Sequence, residues 1–162
     1  MCEAPVPFQK RIKGHEKAVT VARDMQQQCL GMRVGRLQRL VGRRFDQALR
    51  PLGLSVPQLE ILSALALHEG PCRPGELASL LSMDRSTMSR NLAVMASHVY
   101  IATTQTSPAG RSQWVEITQG GRRALTDAEV AWRRVQTAVE QLIGADGAQT
   151  LDGWLDALAG EA

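Results

Sequence analysis

Arg85, Ser86, Thr87, Ser89 and Arg90 place five hydroxyl or guanidinium side chains within six consecutive positions. Hydroxyls can bond phosphate oxygens or base edges, and guanidiniums pair with phosphate or with the acceptors of guanine. Such a set suits the major groove of a duplex if its members share one helix face. No catalytic pattern competes with it: the sequence has no GxSxG, no phosphate-cradling glycine loop and no HExxH. His15, His68 and His98 lie far apart with no pair at ligand spacing, so neither a metal nor a cofactor is expected.

The flanking residues supply the elements that would position this face. Pro74 suits the first turn of a helix, where its missing N–H is not needed. Leu77, Ala78, Leu80 and Leu81 follow as an apolar stripe, Ala78 being small enough for a second helix to cross closely. Ser82-Met83 reads as a turn, and Asp84 as the N-cap of a second helix that turns Met88, Leu92 and Met95 inward. Together they read as a helix-turn-helix. An ordinary helical hairpin with a solvated polar face shares these local features, so what comes next matters. Val99–Thr106 and Arg111–Ile117 are β-branched or alternating, and Ser107-Pro-Ala-Gly110 is turn-forming, giving a β-hairpin. A hairpin directly after a recognition helix is a wing. Arg111 would then reach a phosphate or the adjacent minor groove, and Trp114 would pack the hairpin onto the helices.

The outer parts of the chain read as helices. Residues 1–17, with Pro5, Pro7, Gly14 and four cations, read as a basic, weakly ordered arm. From Val19 to Leu49, apolar residues at 30, 34, 37, 41, 45 and 49 mark one long amphipathic helix. Pro51 to Pro57 breaks it, Ser55 caps the next helix, and Leu59, Ile61, Leu62, Leu65 and Leu67 make that helix mostly buried. After Thr118, a stripe from Leu125 to Leu142 marks another long helix; Ala145-Asp-Gly147 breaks it before a last amphipathic helix through Leu158. The expected fold is mainly α with a small β-hairpin wing. In it, residues 51–118 form the winged helix-turn-helix, and 18–50 with 119–162 form a helical dimerisation region built from both termini.

Bulk properties agree with this plan. The 162 residues are 44% hydrophobic but only 4% aromatic, enough apolar content for one helical domain. Lys and Arg outnumber Asp and Glu by 11 to 4 in residues 1–50 and 6 to 5 in 51–124, but are outnumbered 2 to 7 in 125–162. A basic front and an acidic back orient one side toward a polyanion. Three cysteines without a CxxC argue against a disulfide framework, and no apolar run reaches the ~20 residues of a membrane span, so a cytoplasmic protein is expected.

The order of elements and three short motifs resemble the MarR family of bacterial winged helix-turn-helix transcriptional regulators. The motifs are Leu52-Gly-Leu-Ser-x-Pro-Gln-Leu59, Glu69-Gly-Pro-x-Arg-Pro-x-Glu-Leu-Ala78 and Met83-Asp-Arg-Ser-Thr-Met-Ser-Arg90, followed by Arg111 and Ile117-Thr118-x-x-Gly121. The resemblance implies a homodimer joined by its terminal helices on a pseudo-palindromic DNA site, a repressor released by a small aromatic or lipophilic effector. It assigns double-stranded DNA contacts to Arg85, Ser86, Thr87, Ser89, Arg90 and Arg111. Three positions depart from the family pattern: Ala109 stands where Asp is common, Val99 where Gly is usual, and Thr103–Thr106 lacks the usual basic residues.

Those departures motivate an alternative, a winged-helix protein-interaction module that has lost DNA recognition. A further alternative is a thiol-based redox-sensing regulator. Cys29 sits near Arg33 and Arg36, and cations of that kind lower a thiol pKa.

Overall fold

A computed structural model describes residues 8–105 and 113–160. The chain divides into two units, residues 1–42 and 43–162, with the boundary inside a helix.

The first unit is helical. α1 (Phe8–Gln28) and the beginning of α2 (Leu30–Leu49) are separated only at Cys29. The hydrogen-bond ladder crosses that point, because the Cys29 N–H donates to Met25 O (3.0 Å) and the Arg33 N–H to Cys29 O (3.1 Å). The long helix expected from Val19 is therefore two helices in close succession. It also starts at Phe8, inside the stretch read as an arm. Both prolines precede that start, and Gln9 to Lys13 are residues that tolerate a helix well. Residues 1–7 of the arm lie outside the described residues.

The second unit opens with the end of α2, where Phe45 and buried Leu49 reach the core. A 3-10 turn at Arg50–Leu52 leads to α3 (Val56–Leu67). Two side chains satisfy the free N–H groups at the start of α3: Gln58 Oε1 accepts from Ser55 N–H (3.0 Å), and Asp46 Oδ1 accepts from Val56 N–H (2.9 Å). Ile61, Leu62 and Leu65 are buried, but Leu67 is 86% exposed. Two residues beyond Leu65, it points about 200° round the helix and out of the stripe.

α4 (Pro74–Leu80) and α5 (Arg85–Ser97) form the helix pair. Leu77 and Ala78 are buried, whereas Leu80 is 69% exposed because it lies to one side of the face shared by Leu77, Ala78 and Leu81. The chain turns at Ser82, a non-glycine residue in the left-handed region (φ 49°), with the Met83 N–H donating to Ala78 O at 2.8 Å. Met88, Leu92 and Met95 then fill the core from α5.

The hairpin is antiparallel, β1 (Ile101–Gln105) against β2 (Gln113–Ile117), with Ile101 opposite Ile117 and Thr104 opposite Trp114. It starts later than the sequence suggests, since Val99 belongs to the exit of α5. Cys72 adds an isolated antiparallel bridge to β2 by exchanging two 2.9 Å backbone bonds with Val115. α6 (Gln119–Ile143) packs on α3 and the strands through its first turns, burying Gly121 and Ala128. The chain then breaks at Gly144 (φ 75°), so the residues expected as the break, Ala145–Gly147, instead open α7 (Ala145–Ala159), which has no buried residue.

Two residues at the α5–α6 junction are under opposite backbone constraints. Val99 holds φ 59°, a conformation unfavourable for a β-branched side chain. A Cβ on Gly121 would collide with Tyr100 O and crowd Ile117 and Leu62. In urea denaturation, Val99→Gly is expected to stabilise the protein by about 0.5–1 kcal/mol, relief of the left-handed strain exceeding the entropic cost of glycine. Gly121→Ala is expected to cost about 3 kcal/mol through overpacking.

Candidate nucleic-acid interface

Asp84 fixes where α5 begins. Its Oδ1 accepts from the Thr87 N–H (2.8 Å) and from Ser86 Oγ (2.6 Å), satisfying an end-of-helix donor and orienting a neighbouring hydroxyl. The Ser86 hydroxyl, then the Thr87 bonds, hold the Asp84 carboxyl well below the usual carboxylate range. With Met88, Leu92 and Met95 turned into the core, Arg85, Ser86, Ser89 and Arg90 are exposed and Thr87 is half-buried. The five residues read from the sequence therefore share the outward side of one helix. Its N-terminal end also carries the positive pole of the helix dipole.

Two contacts order this face further. Arg90 Nη2 donates to Thr87 Oγ1 at 3.2 Å, which restrains a long side chain that otherwise loses rotamer freedom on binding. Asn91, at a position where an apolar residue is common in such motifs, donates from Nδ2 to Thr87 O at 2.9 Å and so satisfies its amide within its own helix. Beside the face runs a cleft of about 450 Å³, with Pro74, Arg85, Ser89, Thr103 and Gln113 in its walls. It separates α5 from the hairpin. Arg111, the expected wing contact, lies outside the described residues, on the segment joining the paired Gln105 and Gln113.

The wing is braced from below. The Arg73 guanidinium lies 5.0 Å from the centroid of the Trp114 ring, a cation–π contact. The Arg73 N–H meanwhile donates to Glu76 Oε2 (3.1 Å) at the start of α4. Arg73 thus ties β2 to the first helix of the pair, a role that its place in a loop did not suggest.

A second cleft, about 350 Å³, lies between α3 and α6, with Leu59, Ser63, Leu125 and Trp132 in its walls. At its edge Arg133 Nε pairs with Glu129 Oε1 at 2.8 Å, and the guanidinium sits 5.6 Å from the Trp132 centroid. The sequence offered no lining residues for such a pocket, because they come from helices more than fifty residues apart.

The cysteines differ in setting. Cys29 is exposed at the α1–α2 junction. Cys72 is buried, and burial, followed by the nearby Glu76 carboxylate, pushes its thiol pKa up, away from the reactive thiolate. Among the described residues, no three His, Cys, Asp or Glu side chains group to hold a metal ion.

The MarR-family model matches residues 52–112, the span from the turn before α3 into the wing. The structure of the transcriptional regulator MosR from M. tuberculosis is 30% identical to this chain. That match covers 84% of this chain and 98% of MosR, with a TM-score of 0.71. The chain belongs to the MarR family. MosR in complex with DNA matches similarly, at 30% identity, 83% and 97% coverage and a TM-score of 0.69. The transcriptional repressor CouR bound to a 23-mer DNA duplex matches at 25% identity, 83% and 95% coverage and a TM-score of 0.70. No curated protein matches the sequence. As in other MarR-family members, the fold here is a winged helix, with α4 and α5 as its helix pair and β1–β2 as its wing.

The depressed carboxyl of Asp84 makes its contribution to α5 depend on pH. That contribution is complete above the ordinary carboxylate pKa of about 4 and is lost as the pH falls through the lower folded-state value. In thermal melts followed by circular dichroism, Asp84→Ala should lower Tm fully at neutral pH. The gap from the unaltered protein should narrow as the pH drops below about 4. Asp84→Asn, which caps without titrating, should lie closer to the unaltered protein at neutral pH, and its gap should shift with falling pH as that of Asp84→Ala does, because it is the unaltered protein that titrates.

Proposed function

We propose that this MarR-family protein is a sequence-specific DNA-binding transcriptional regulator. It acts as a homodimeric repressor on a pseudo-palindromic site. The observation that carries this reading is the exposed set Arg85, Ser86, Ser89 and Arg90 on the outward side of a helix held by an aspartate cap and a buried floor. Thr87 completes the set, and Arg111 of the wing would supply a contact beside it. MosR and CouR, the relatives described above, are each seen bound to DNA. Two such helices related by a two-fold axis would read half-sites about 10 bp apart.

Dimerisation is supported by apolar surface at both ends of the chain. Leu30, Val34 and Leu37 on α2 and Val130 and Leu142 on α6 are all more than 40% exposed, which is costly unless a partner covers them. The α3–α6 cleft suits a small aromatic or lipophilic effector: its walls are mainly apolar, Trp132 offers a stacking surface, and the Arg133–Glu129 pair stands at the rim. CouR is seen bound to p-coumaroyl-CoA, a molecule of that general kind. No described helix is long and apolar enough to cross a membrane. A cytoplasmic location follows from the proposed work on DNA, and the role assigned is that of a binding protein and not an enzyme.

The test is fluorescence anisotropy of the purified protein with its own upstream intergenic DNA and with a scrambled duplex, at two salt concentrations. Binding should be selective for the upstream DNA and should weaken steeply as salt rises, because phosphate contacts release counterions. Arg90→Ala should cost about 1–3 kcal/mol of specific binding if its guanidinium reads a base edge. Equal, salt-insensitive association with both duplexes would instead favour the interaction-module reading, in which the uncharged β1 residues Thr103 and Thr104 are part of a protein-binding surface.

A further inference from the structure

The polar side of α5 points in two directions. Arg85 and Ser89, one turn apart, stand in the wall of the cleft between α5 and the hairpin, whereas Ser86 and Arg90 do not line it. Each residue of a helix is rotated about 100° from the one before, so the second pair lies about that much further round. The pairs also differ in their bonds. Ser86 Oγ donates to Asp84 Oδ1 and Arg90 Nη2 to Thr87 Oγ1. The side chains of Arg85 and Ser89 have no hydrogen-bond or ion-pair partner among the described residues.

The opposite wall of the cleft is the hairpin. Side chains alternate between its faces, so Thr103 and Gln113 share the face of Ile101, Val115 and Ile117. Ile101, Val115 and Ile117 are buried in the core, and towards the open end the same face becomes polar: Thr103 and Gln113 are exposed and line the cleft. Glu116, the one charged residue of β1 and β2, alternates to the other face. The cleft therefore sets one guanidinium and three uncharged donors, all exposed, around the buried Met88 and Leu92.

Duplex geometry says what such a cleft can hold. A helix in the major groove and a wing in the adjacent minor groove straddle a single sugar–phosphate strand, because one strand separates the two grooves. Hydroxyl, amide and guanidinium groups all donate to phosphate oxygens, and contacts of that kind set register without reading sequence.

We propose that this cleft seats the strand between the grooves: Arg85, Ser89, Thr103 and Gln113 donate to its phosphates, while Ser86 and Arg90 face the base edges. The inference rests on the DNA-binding reading above and deepens it, dividing the α5 face between positioning and readout. On the wing side the seat is uncharged. Thr103 and Gln113 hold the strand by hydrogen bonds alone, and the ionic part of the contact comes from Arg85.

Anisotropy of the full chain with the upstream and scrambled duplexes, over a series of salt concentrations, tests the seat. Thr103 and Gln113 are exposed, so substitutions there leave the core intact. Gln113→Ala should weaken binding to both duplexes by about threefold or more, the loss of one hydrogen bond from each copy, with the slope of log Kd against log salt unchanged. Thr103→Val should act in the same way. Arg85→Ala should also weaken both alike but flatten the slope by about 1 per copy, whereas Arg90→Ala should lower the ratio of upstream to scrambled affinity. Gln113→Lys places a cation in the seat and should steepen the slope by about 1 per copy, which a purely structural role for Gln113 would not produce. A slope unmoved by Gln113→Lys would overturn the seat while leaving DNA binding standing. So would an affinity ratio that falls as far with Arg85→Ala as with Arg90→Ala. Salt-insensitive association of the unaltered protein with both duplexes would remove the DNA-binding reading itself.

Discussion

The close approach of the first turn of α6 to the start of β1 governs the rest of the second unit. Thr118 holds it from both sides of the backbone. Its N–H donates to Tyr100 O (3.1 Å), its hydroxyl donates to Val99 O (2.6 Å), and the same hydroxyl oxygen accepts from the Gly121 N–H (3.1 Å). Gly121 can sit there only because it lacks a Cβ. Three elements meet at that point: the exit of α5, the base of the wing and the N-terminus of α6. Loosening it would leave both the recognition face and the wing without a fixed origin.

From that junction outward, each side chain of the proposed interface is positioned by a short chain of contacts. Asp84 sets the start of α5, the buried Met88, Leu92 and Met95 set its rotation, and the polar face follows as the remaining side of the helix. The wing is set separately. Its base is pinned by Thr118, its flank by the Cys72–Val115 bridge, and Trp114 by the Arg73 guanidinium. The arginine and hydroxyl pattern of α5 thus stands beside a first wing strand whose Thr103 and Thr104 carry no charge.

The helix pair was legible in the sequence because its signals are local. A proline at a helix start, an aspartate cap and a 3–4 apolar period all act within one or two turns. The misplacements arose where a count of apolar residues stood in for their angle: Leu67 and Leu80 extend an apolar run but rotate away from the buried stripe. The start of α1 was missed because Pro5 and Pro7 suggest disorder, although a proline ahead of a helix interrupts nothing within it. The Thr118-x-x-Gly121 motif was visible as a pattern, yet its cause was not, since Tyr100 and Leu62 come from distant positions. The same non-locality hid the Arg73–Trp114 brace and the α3–α6 cleft. Arg111 remains a reading of sequence alone, because its segment lies outside the described residues.

If the proposed effector occupies the α3–α6 cleft, the continuity of α6 offers it a route to the exit of α5. One end of this helix is locked to Val99 and Tyr100 at the exit of the recognition helix, and further along the same helix Leu125 and Trp132 help line the cleft facing α3. A hydrogen-bonded helix transmits displacement along its length with little internal give, so a molecule wedged between α3 and α6 would act on the α5 exit through a rigid link. Val99 makes that exit a sensitive place to act. Its left-handed conformation is already unfavourable for a branched side chain and persists because Thr118 and the surrounding packing hold it. A small rotation of α6 that lengthened the Thr118–Val99 bond would remove the restraint on a strained residue. The recognition helix would then be free to re-aim, weakening its fit to a half-site without any direct contact between effector and DNA.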